Sequence, residues 1–317
     1  MVKCARCPRP AVIKIRYSKM HLCDHHFSEY LVERVKRTME RYDMVGRGDE
    51  ILIAASGGKD SASLVHMLAD LSHEMEYSVI GLHIDLDIGD YSERCSAKAV
   101  KLFEEVNIPY IVLDLRRILG HGIPELSRKV RRKACSLCGI IKRYLMNLTA
   151  NACRASKIAT GHTMEDLAQY IIKAFLLQDQ EQLSRLKPVT KGRNGLIGRI
   201  KPLCEITERE TFTYAYVNHL PFTYEECPMF RERTLDAEIR SFIKRMQYER
   251  PSIVISLIRR QSEVLADRSA KNLIKCAYCG MPSSTSPCAF CKILIKLGRE
   301  PEDVINRVYE IAEQMSR

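Results

Sequence analysis

The chain alternates between short apolar runs and longer segments in which apolar residues recur at helical spacing. The short runs predict strands at residues 50–55, 77–84, 110–115 and 157–160. Between them, residues 61–72 and 92–106 have the pattern of amphipathic helices. This alternation predicts an α/β fold with a doubly wound parallel sheet, because strands buried on both faces read as continuous apolar runs. In such sheets ligands bind at the carboxyl ends of the strands.

Other segments predict helices around this sheet. Residues 27–46 keep a helical period, and Thr207-Glu208-Arg209-Glu210 is a capping box that opens a helix reaching residue 219. Later helices are predicted at about 233–247 and 251–266, and the Gly-, Pro- and Lys-rich residues 187–202 predict a loop.

A glycine turn follows the first predicted strand and leads directly into a helix. Its small residues let the backbone approach a ligand, and the free N–H groups at the helix N-terminus favour an anion. The spacing excludes a Walker loop, which needs four residues between its glycine and Gly-Lys. The candidate nucleotide-binding residues are Ala54, Ala55, Ser56, Gly57, Gly58, Lys59, Asp60 and Ser61.

Two later segments are expected on the same crevice. His83 ends the second predicted strand, and Gly161 follows the strand at 157–160. Asp166 opens the next helix, where its carboxylate could hold Mg²⁺ or orient phosphates. Asp166 could equally be an ordinary acid at a helix N-terminus.

Composition adds a possible polyanionic partner. The 317 residues are 46% hydrophobic and 28% charged, which is typical of a soluble globular protein. The formal charge of +11 is compatible with RNA binding, with membrane-surface binding or with solubility alone. No apolar run approaches the ~20 residues of a membrane span, and the first residues do not resemble a signal peptide. The expected location is therefore cytoplasmic.

Thirteen cysteines without a secretory signal favour metal or catalytic sulfur over disulfides. The pairs Cys4-x2-Cys7 and Cys23-x2-His26 predict a structural zinc site, in which His25 is a competing ligand. A second zinc site is predicted from Cys276, Cys279, Cys288 and Cys291. Core packing is expected for Cys95, Cys153 and Cys204.

A third sulfur site is predicted where the basic run 128–133 leads into Cys135-x2-Cys138 at the start of a helix. Helix N-termini and cationic neighbours lower thiol pKa values and make thiolates available. Lys142 lies one helical turn beyond Cys138 on the same face. Cys227, in Glu-Glu-Cys-Pro, is a weak candidate that could be a packing residue.

The form Ser-Gly-Gly-Lys-Asp-Ser at 56–61 resembles the PP-loop of ATP pyrophosphatases. The whole layout of two zinc modules, PP-loop and internal cysteines resembles the TtuA-type tRNA 2-thiouridine synthetases. The Cys23-x2-His26 pair is closer to the enzymes that modify T-loop position 54 than to those that modify wobble position 34. Enzymes of this kind commonly have Gly-His-Asn-x-Asp-Asp, whereas this chain has Thr163 and Glu165 at two of those positions.

This resemblance implies a reaction and its participants. ATP and Mg²⁺ would adenylate the uridine C2 oxygen with the help of Lys59 and Asp166, and sulfur would then replace it. Cys135, Cys138 and Cys227 would hold a 4Fe–4S cluster beside Lys142. The family also implies a homodimer and a ubiquitin-like sulfur carrier with a C-terminal thiocarboxylate.

Three alternatives remain open at this point. The target could be wobble position 34, or Cys135 or Cys138 could carry a persulfide that Cys227 resolves as a disulfide. The third is a non-catalytic zinc-finger RNA-binding protein. The expected division is a zinc module at 1–30, a catalytic domain at 31–268, and a second zinc module with a terminal helix at 269–317.

Overall fold

A computed structural model describes residues 2–230, 234–264 and 273–315. Ten strands lie in this part of the chain. They are β1 (Ile13–Ile15), β2 (Met20–Leu22), β3 (Glu50–Ala55), β4 (Ser78–Asp85), β5 (Tyr110–Asp114), β6 (Lys157–Thr160), β7 (Val189–Thr190), β8 (Gly198–Ile200), β9 (Ile274–Lys275) and β10 (Pro282–Ser283). The four strands predicted for the sheet are therefore confirmed, with ends that differ by one residue at most.

The central sheet has six strands in the order β5-β4-β3-β6-β8-β7. All neighbouring pairs are parallel except the edge pair of β7 and β8. The chain adds β4 and β5 on one side of β3, and then returns to place β6 on the other side. The switch point, where a ligand crevice is expected, therefore lies between β3 and β6.

Thirteen helices are described. They are α1 (Asp24–Arg41), α2 (Lys59–Leu71), α3 (Asp90–Glu105), α4 (Leu115–Leu119), α5 (Ile123–Lys129), α6 (Ala134–Ala152), α7 (Met164–Leu176), α8 (Gln180–Arg185), α9 (Glu208–Val217), α10 (Thr234–Glu249), α11 (Ile253–Val264), α12 (Ala289–Leu297) and α13 (Pro301–Met315). The predicted positions 233, 265 and 266 of two helices lie outside the described residues.

Two parts of the prediction were wrong. The first helix ends at Arg41 and not at 46, because Asp43 is left-handed with φ 47° and Met44 turns into the core. The predicted loop at 187–202 contains β7 and β8, in which Ile200 pairs with Ala159 and is fully buried. The two strands have only two and three residues, too few for a periodic pattern to show.

The helices cover both faces of the sheet, as the doubly wound prediction requires. One core joins β1 and β2 to α1, α2, α7, α9, α10 and α11, and the other joins α4, α5, α6, α12 and α13. The terminal metal-type modules belong to these cores. Phe27 is fully buried in the first core, and Phe290 stacks on Tyr144 of α6 with 3.8 Å between ring centroids.

Among the described residues, none of the helices combines the length and the apolar character needed to cross a membrane.

Candidate functional site

The glycine turn after β3 forms a tight loop at the switch point. Gly57 has φ +84°, and a Cβ there would lie 2.7 Å from the carbonyl oxygen of Cys95. Glycine is thus required by both backbone conformation and packing. Gly58 is the N-cap of α2, so the first-turn N–H groups of that helix lack intrahelical acceptors and face the crevice end of the sheet. This is the geometry of an anion site.

Side chains inside the loop hold its shape. Ser61 Oγ donates to the carbonyl of Gly58 at 2.9 Å and accepts from the amide of Ser56 at 3.1 Å. Lys59 Nζ lies 2.7 Å from Asp60 Oδ2, and Thr211 Oγ1 donates to Asp60 Oδ1. The ammonium group of Lys59 is thus held at the first turn of α2 by its own neighbour, Asp60.

The loop is also bonded to the segment that carries Cys227. Thr223 N and Oγ1 both donate to the carbonyl of Gly57, at 2.9 and 3.1 Å. Arg94 of α3 forms an ion pair with Glu225 in the same segment. Sequence reasoning missed Thr223, because a single threonine in a loop carries no motif. Its two hydrogen bonds connect the nucleotide loop to a point four residues before Cys227.

His83 is a buried structural residue beside this loop. Its Nδ1 lies 2.9 Å from the carbonyl oxygen of Ala55, and its Nε2 lies 2.9 Å from Ser96 Oγ. Burial lowers the pKa of His83. Its ring therefore connects β3, β4 and α3, with both nitrogens already occupied.

Gly161 and Asp166 meet the loop from the β6 side. A Cβ at Gly161 would lie 3.2 Å from the amide nitrogen of Ser61, so this glycine permits close approach to α2. Asp166 Oδ2 accepts from Thr163 N and Oγ1 at 3.0 and 3.1 Å, which makes a capping box for α7. Asp166 Oδ1 faces Arg240 at 3.7 Å. One carboxylate oxygen of Asp166 thus caps α7, and the other faces the guanidinium group of Arg240.

A cavity of about 440 Å³ adjoins Lys59. It lies between the N-terminal module, α9 and α10. Four further basic residues line it, Lys14, Arg16, Arg209 and Lys244. Arg16 stacks over the ring of Tyr248 at 4.1 Å. The volume is typical of a small-ligand site.

Glu165 lies beside this cavity with 5% of its surface exposed. Burial and, second, the negative charge of Glu208 raise the pKa of Glu165 to about 7. Between the ordinary pKa near 4.5 and this value, the folded protein binds more protons than the unfolded chain. The contribution of Glu165 to stability therefore falls as the pH rises through this window and is fully lost above pH 7.

We expect Glu165→Gln to remove this pH dependence. The amide oxygen of the substituted side chain can still accept the 3.0 Å hydrogen bond that the Glu208 amide donates to Oε2 of Glu165. The free energy of unfolding should rise by about 1–3 kcal/mol at pH 8 and change little at pH 5, as measured by urea denaturation. Exposed Glu302→Gln serves as the control. Parallel pH profiles for Glu165→Gln and wild type would contradict this assignment.

The internal cysteines converge at the start of α6. Electrostatic interactions link Cys138 to Cys227, Cys135 and Lys142, and Cys135 Sγ lies 3.6 Å from the carbonyl of Met229. Among the described residues, the Sγ atoms of Cys135, Cys138 and Cys227 do not all lie within 4.8 Å of one another. Thiolates are the usual ligands of iron–sulfur clusters, so these three thiols are a candidate donor set for one.

The pKa of the Cys138 thiol is shifted in the direction opposite to the sequence prediction. Burial raises the pKa of Cys138, and Lys142, which hydrogen-bonds to it, only partly offsets this. Desolvation outweighs the helix N-terminus and the cationic neighbours at this position. The predicted proximity of Lys142 to the cysteines is nevertheless present.

The terminal modules bring together two sets of four ligand atoms, each set within 4.8 Å. They are Cys4, Cys7, Cys23 and His26, and Cys276, Cys279, Cys288 and Cys291. Sulfur–sulfur separations of 3.7 Å for Cys7–Cys23 and 3.8 Å for Cys279–Cys288 match the about 3.8 Å of tetrahedral zinc with Zn–S near 2.3 Å.

Two further contacts agree with the predicted zinc ligands. His26 Nδ1 lies 3.3 Å from Cys23 Sγ, whereas His25 Nε2 lies 3.2 Å from Glu29 instead. In the second module, the buried hydroxyl of Tyr144 has no hydrogen-bond partner within normal distance among the described residues and faces Cys279. A metal-bound thiolate at Cys279 would accept a hydrogen bond from this hydroxyl group.

The remaining predicted features are also in place. Five basic residues of the run 128–133 are exposed, directly before exposed Cys135. Cys95 and Cys204 are buried, and half-buried Cys153 donates to the carbonyl of Thr149, so all three are packing residues.

Comparison with known families gives two matches. Residues 28–229 match the PP-loop domain, and residues 3–28 match the N-terminal LIM domain of the 2-thiouridine synthetase TtuA.

Similar proteins span almost the whole chain. The tRNA-5-methyluridine(54) 2-sulfurtransferase of Pyrococcus horikoshii is 37% identical, covering 92% of this chain and 93% of that protein. Its counterpart from Thermus thermophilus is 32% identical over 92% and 90%. Among solved structures, the NcsA thiolase of Methanococcus maripaludis, which acts on uridine 34 of tRNA and contains a 4Fe–4S cluster, is 25% identical with a TM-score of 0.79. It covers 94% of this chain and 97% of its own.

Proposed function

The chain belongs to the PP-loop family of tRNA 2-sulfurtransferases, and we propose that it uses ATP to exchange the C2 oxygen of tRNA uridine 54 for sulfur. One observation carries this proposal. The nucleotide loop at the β3–β6 switch point is hydrogen-bonded through Thr223 to the segment bearing Cys227, which neighbours Cys138. This connection supports an activating site and a sulfur site that would act on the same uridine.

The reaction has a leaving-group problem that ATP solves. The uracil C2 oxygen attacks the α-phosphorus of ATP, the bond to the pyrophosphate oxygen breaks, and pyrophosphate leaves. Hydrosulfide then attacks C2, AMP departs with the former carbonyl oxygen, and loss of a proton gives the thiocarbonyl. Both steps place growing negative charge at the loop, where preorganised donors stabilise it.

Individual residues take the following parts. The first-turn amides of α2, together with Lys59, would hold the departing pyrophosphate. Asp60 and Asp166 interact electrostatically and fit a Mg²⁺ ion, which would neutralise phosphate charge. Lys142, beside Cys138, would hold a proton or balance charge near the incoming sulfur. His83 and Gly161 would set the loop's position rather than contact the reacting atoms.

The residues present also fit three metal groups. Cys135, Cys138 and Cys227 would hold a 4Fe–4S cluster, and such a cluster with three thiolates leaves one iron open to an external sulfide. Each terminal module would hold one Zn²⁺ and gain its stability from it. This agrees with the division at 1–30, 31–268 and 269–317, which we retain as part of the proposal.

The partners follow from family membership. The substrate is tRNA, and the exposed basic run 128–133 would position its backbone. We further propose a ubiquitin-like carrier with a C-terminal thiocarboxylate as sulfur donor, a homodimer, and a cytoplasmic location. Uridine 34 is the second candidate target, because the structurally similar NcsA acts there.

The tRNA of a strain lacking this protein tests the function. We expect nucleoside mass spectrometry to show loss of the 2-thiolated base, and mapping to place the loss at position 54. The plasmid-borne wild-type gene should restore it. Loss at position 34 alone would support the second candidate, and an unchanged thionucleoside content would contradict both.

A further inference from the structure

Three cations crowd together at the carboxyl end of β8. Arg199 lies on β8 and Lys201 directly follows it, while Arg143 projects from α6. Arg199 Nη2 donates to the carbonyl of Arg143 at 3.4 Å, and Lys201 Nζ donates to the carbonyl of Lys187. In the described part of the chain, these three side chains form no ion pair with a carboxylate.

The charges act on one another. Burial, followed by Arg143, lowers the pKa of Arg199, and burial lowers the pKa of Lys201 to about 8 with a further contribution from Arg199. Neighbouring cations repel one another, and no carboxylate of the described residues offsets this repulsion, so a bound anion would stabilise the cluster.

The cluster adjoins the sulfur site. Arg143 follows Lys142, and its Nη1 lies 3.2 Å from a Cβ built at Gly139. The guanidinium group therefore lies back along α6 beside Gly139, the residue that follows Cys138. His162 directly follows Gly161 after the end of β6. Burial and, after it, the positive charges of Lys201 and Arg199 lower the pKa of His162. Its ring meets the exposed ring of Tyr170 edge-on, with 6.1 Å between centroids. Cations beside exposed aromatic rings are typical of sites for single-stranded RNA.

The phosphates of ATP are a poor match for this cluster. They have their own site at the N-terminus of α2, next to β3. β8 lies two strands from β3 in the sheet, which is about 10 Å. A phosphate of the RNA backbone fits this position better, because the RNA chain can extend from the crevice towards α6.

We propose that Arg143, Arg199 and Lys201 form a subsite for a tRNA phosphodiester beside the target uridine. The guanidinium groups suit phosphate because they offer planar paired donors. The subsite positions the RNA chain and takes no part in bond making. It rests on the proposed function, since it assumes that tRNA is the substrate.

Fluorescence anisotropy with a labelled tRNA transcript tests the subsite without ATP. Arg199→Gln should weaken binding about tenfold and lower the slope of log K against log salt by about one unit. Lys201→Gln should behave alike. The control is Arg154→Gln, an exposed arginine before the amino end of β6, which should bind as wild type does.

Two readouts separate this role from a structural one. The melting temperature of tRNA-free Arg199→Gln should equal or exceed that of wild type, because a repelling charge is removed. Arg199→Lys should recover most of the salt slope. Unchanged affinity, or weaker binding with an unchanged slope, would overturn the subsite.

Further outcomes show which anion binds, and whether the subsite alone or the proposed function as a whole is wrong. Weakened ATP binding with intact tRNA binding would assign the cluster to nucleotide phosphate and overturn the proposal. Wild-type protein that does not bind tRNA would contradict the proposed function itself. If wild type binds tRNA and Arg199→Gln binds it equally well, only the subsite is contradicted.

Discussion

Replacement of Lys59 by alanine is expected to lower tRNA thiolation by about 10²–10³-fold, because the growing charge on pyrophosphate loses its mobile cation. The structure predicts a larger loss of activity than the removal of a single phosphate contact would cause. Lys59 is paired with Asp60 at 2.7 Å, so its removal leaves a carboxylate without that partner beside the phosphates. The measurement is 2-thiouridine formed per tRNA in a reconstituted assay.

Lys101→Ala is the matched control for Lys59. Lys101 is exposed on α3 and paired with Glu105, and its loss should leave thiolation unchanged. Affinity for tRNA should be equal in wild type and Lys59→Ala, since the loop binds ATP. If Lys59→Ala retained full thiolation, the nucleotide loop would be regulatory, as expected for a zinc-finger RNA-binding protein.

Substitution of Cys227 by serine is expected to abolish both the iron–sulfur centre and thiolation. The two remaining thiolates would be too few to hold the proposed cluster, for which the chain offers only three. After anaerobic reconstitution, Cys227→Ser should lack the iron, acid-labile sulfide and broad visible absorption of wild type. Its zinc content should stay at the wild-type level, because the terminal modules use other ligands.

Cys153→Ser provides the control for that experiment. Cys153 donates to the carbonyl of Thr149 within α6, and serine can make the same hydrogen bond. Iron and activity should be retained. A colourless, iron-free wild-type protein with full activity would instead favour a persulfide on Cys135 or Cys138.

Local patterns in the sequence were sufficient for much of the fold and of the site. The strand–glycine–helix pattern at 50–71, the capping box of Thr207 and Glu210, and the spacing of both terminal ligand sets depend on residues close together in the chain. Short-range physics determines such features, so the sequence displays them directly.

Long-range contacts were beyond the reach of those patterns. Thr223 contacts a glycine 166 positions away, and Arg240 pairs with Asp166 from a different helix. The cluster of Arg143, Arg199 and Lys201 forms only because β8 lies next to β6, and β8 was predicted as loop. Neither charge runs nor periodicity mark residues that meet solely through topology.

The sequence allowed two interpretations of Asp166, and the structure confirms the one in which it caps a helix. One carboxylate oxygen caps α7, as the ordinary interpretation predicted. The other oxygen faces Arg240 at 3.7 Å, and the metal role of Asp166 stays a proposal.

A single-turnover assay tests the central claim most directly. Anaerobically reconstituted protein would be mixed with unmodified tRNA transcript, sulfide and ATP labelled at the α-phosphate, and nucleosides and nucleotides would be analysed together. We predict one 2-thiouridine at position 54 for each labelled AMP released, and neither product without ATP. Thiouridine formed equally well without ATP, or AMP released with no thiouridine, would contradict the account.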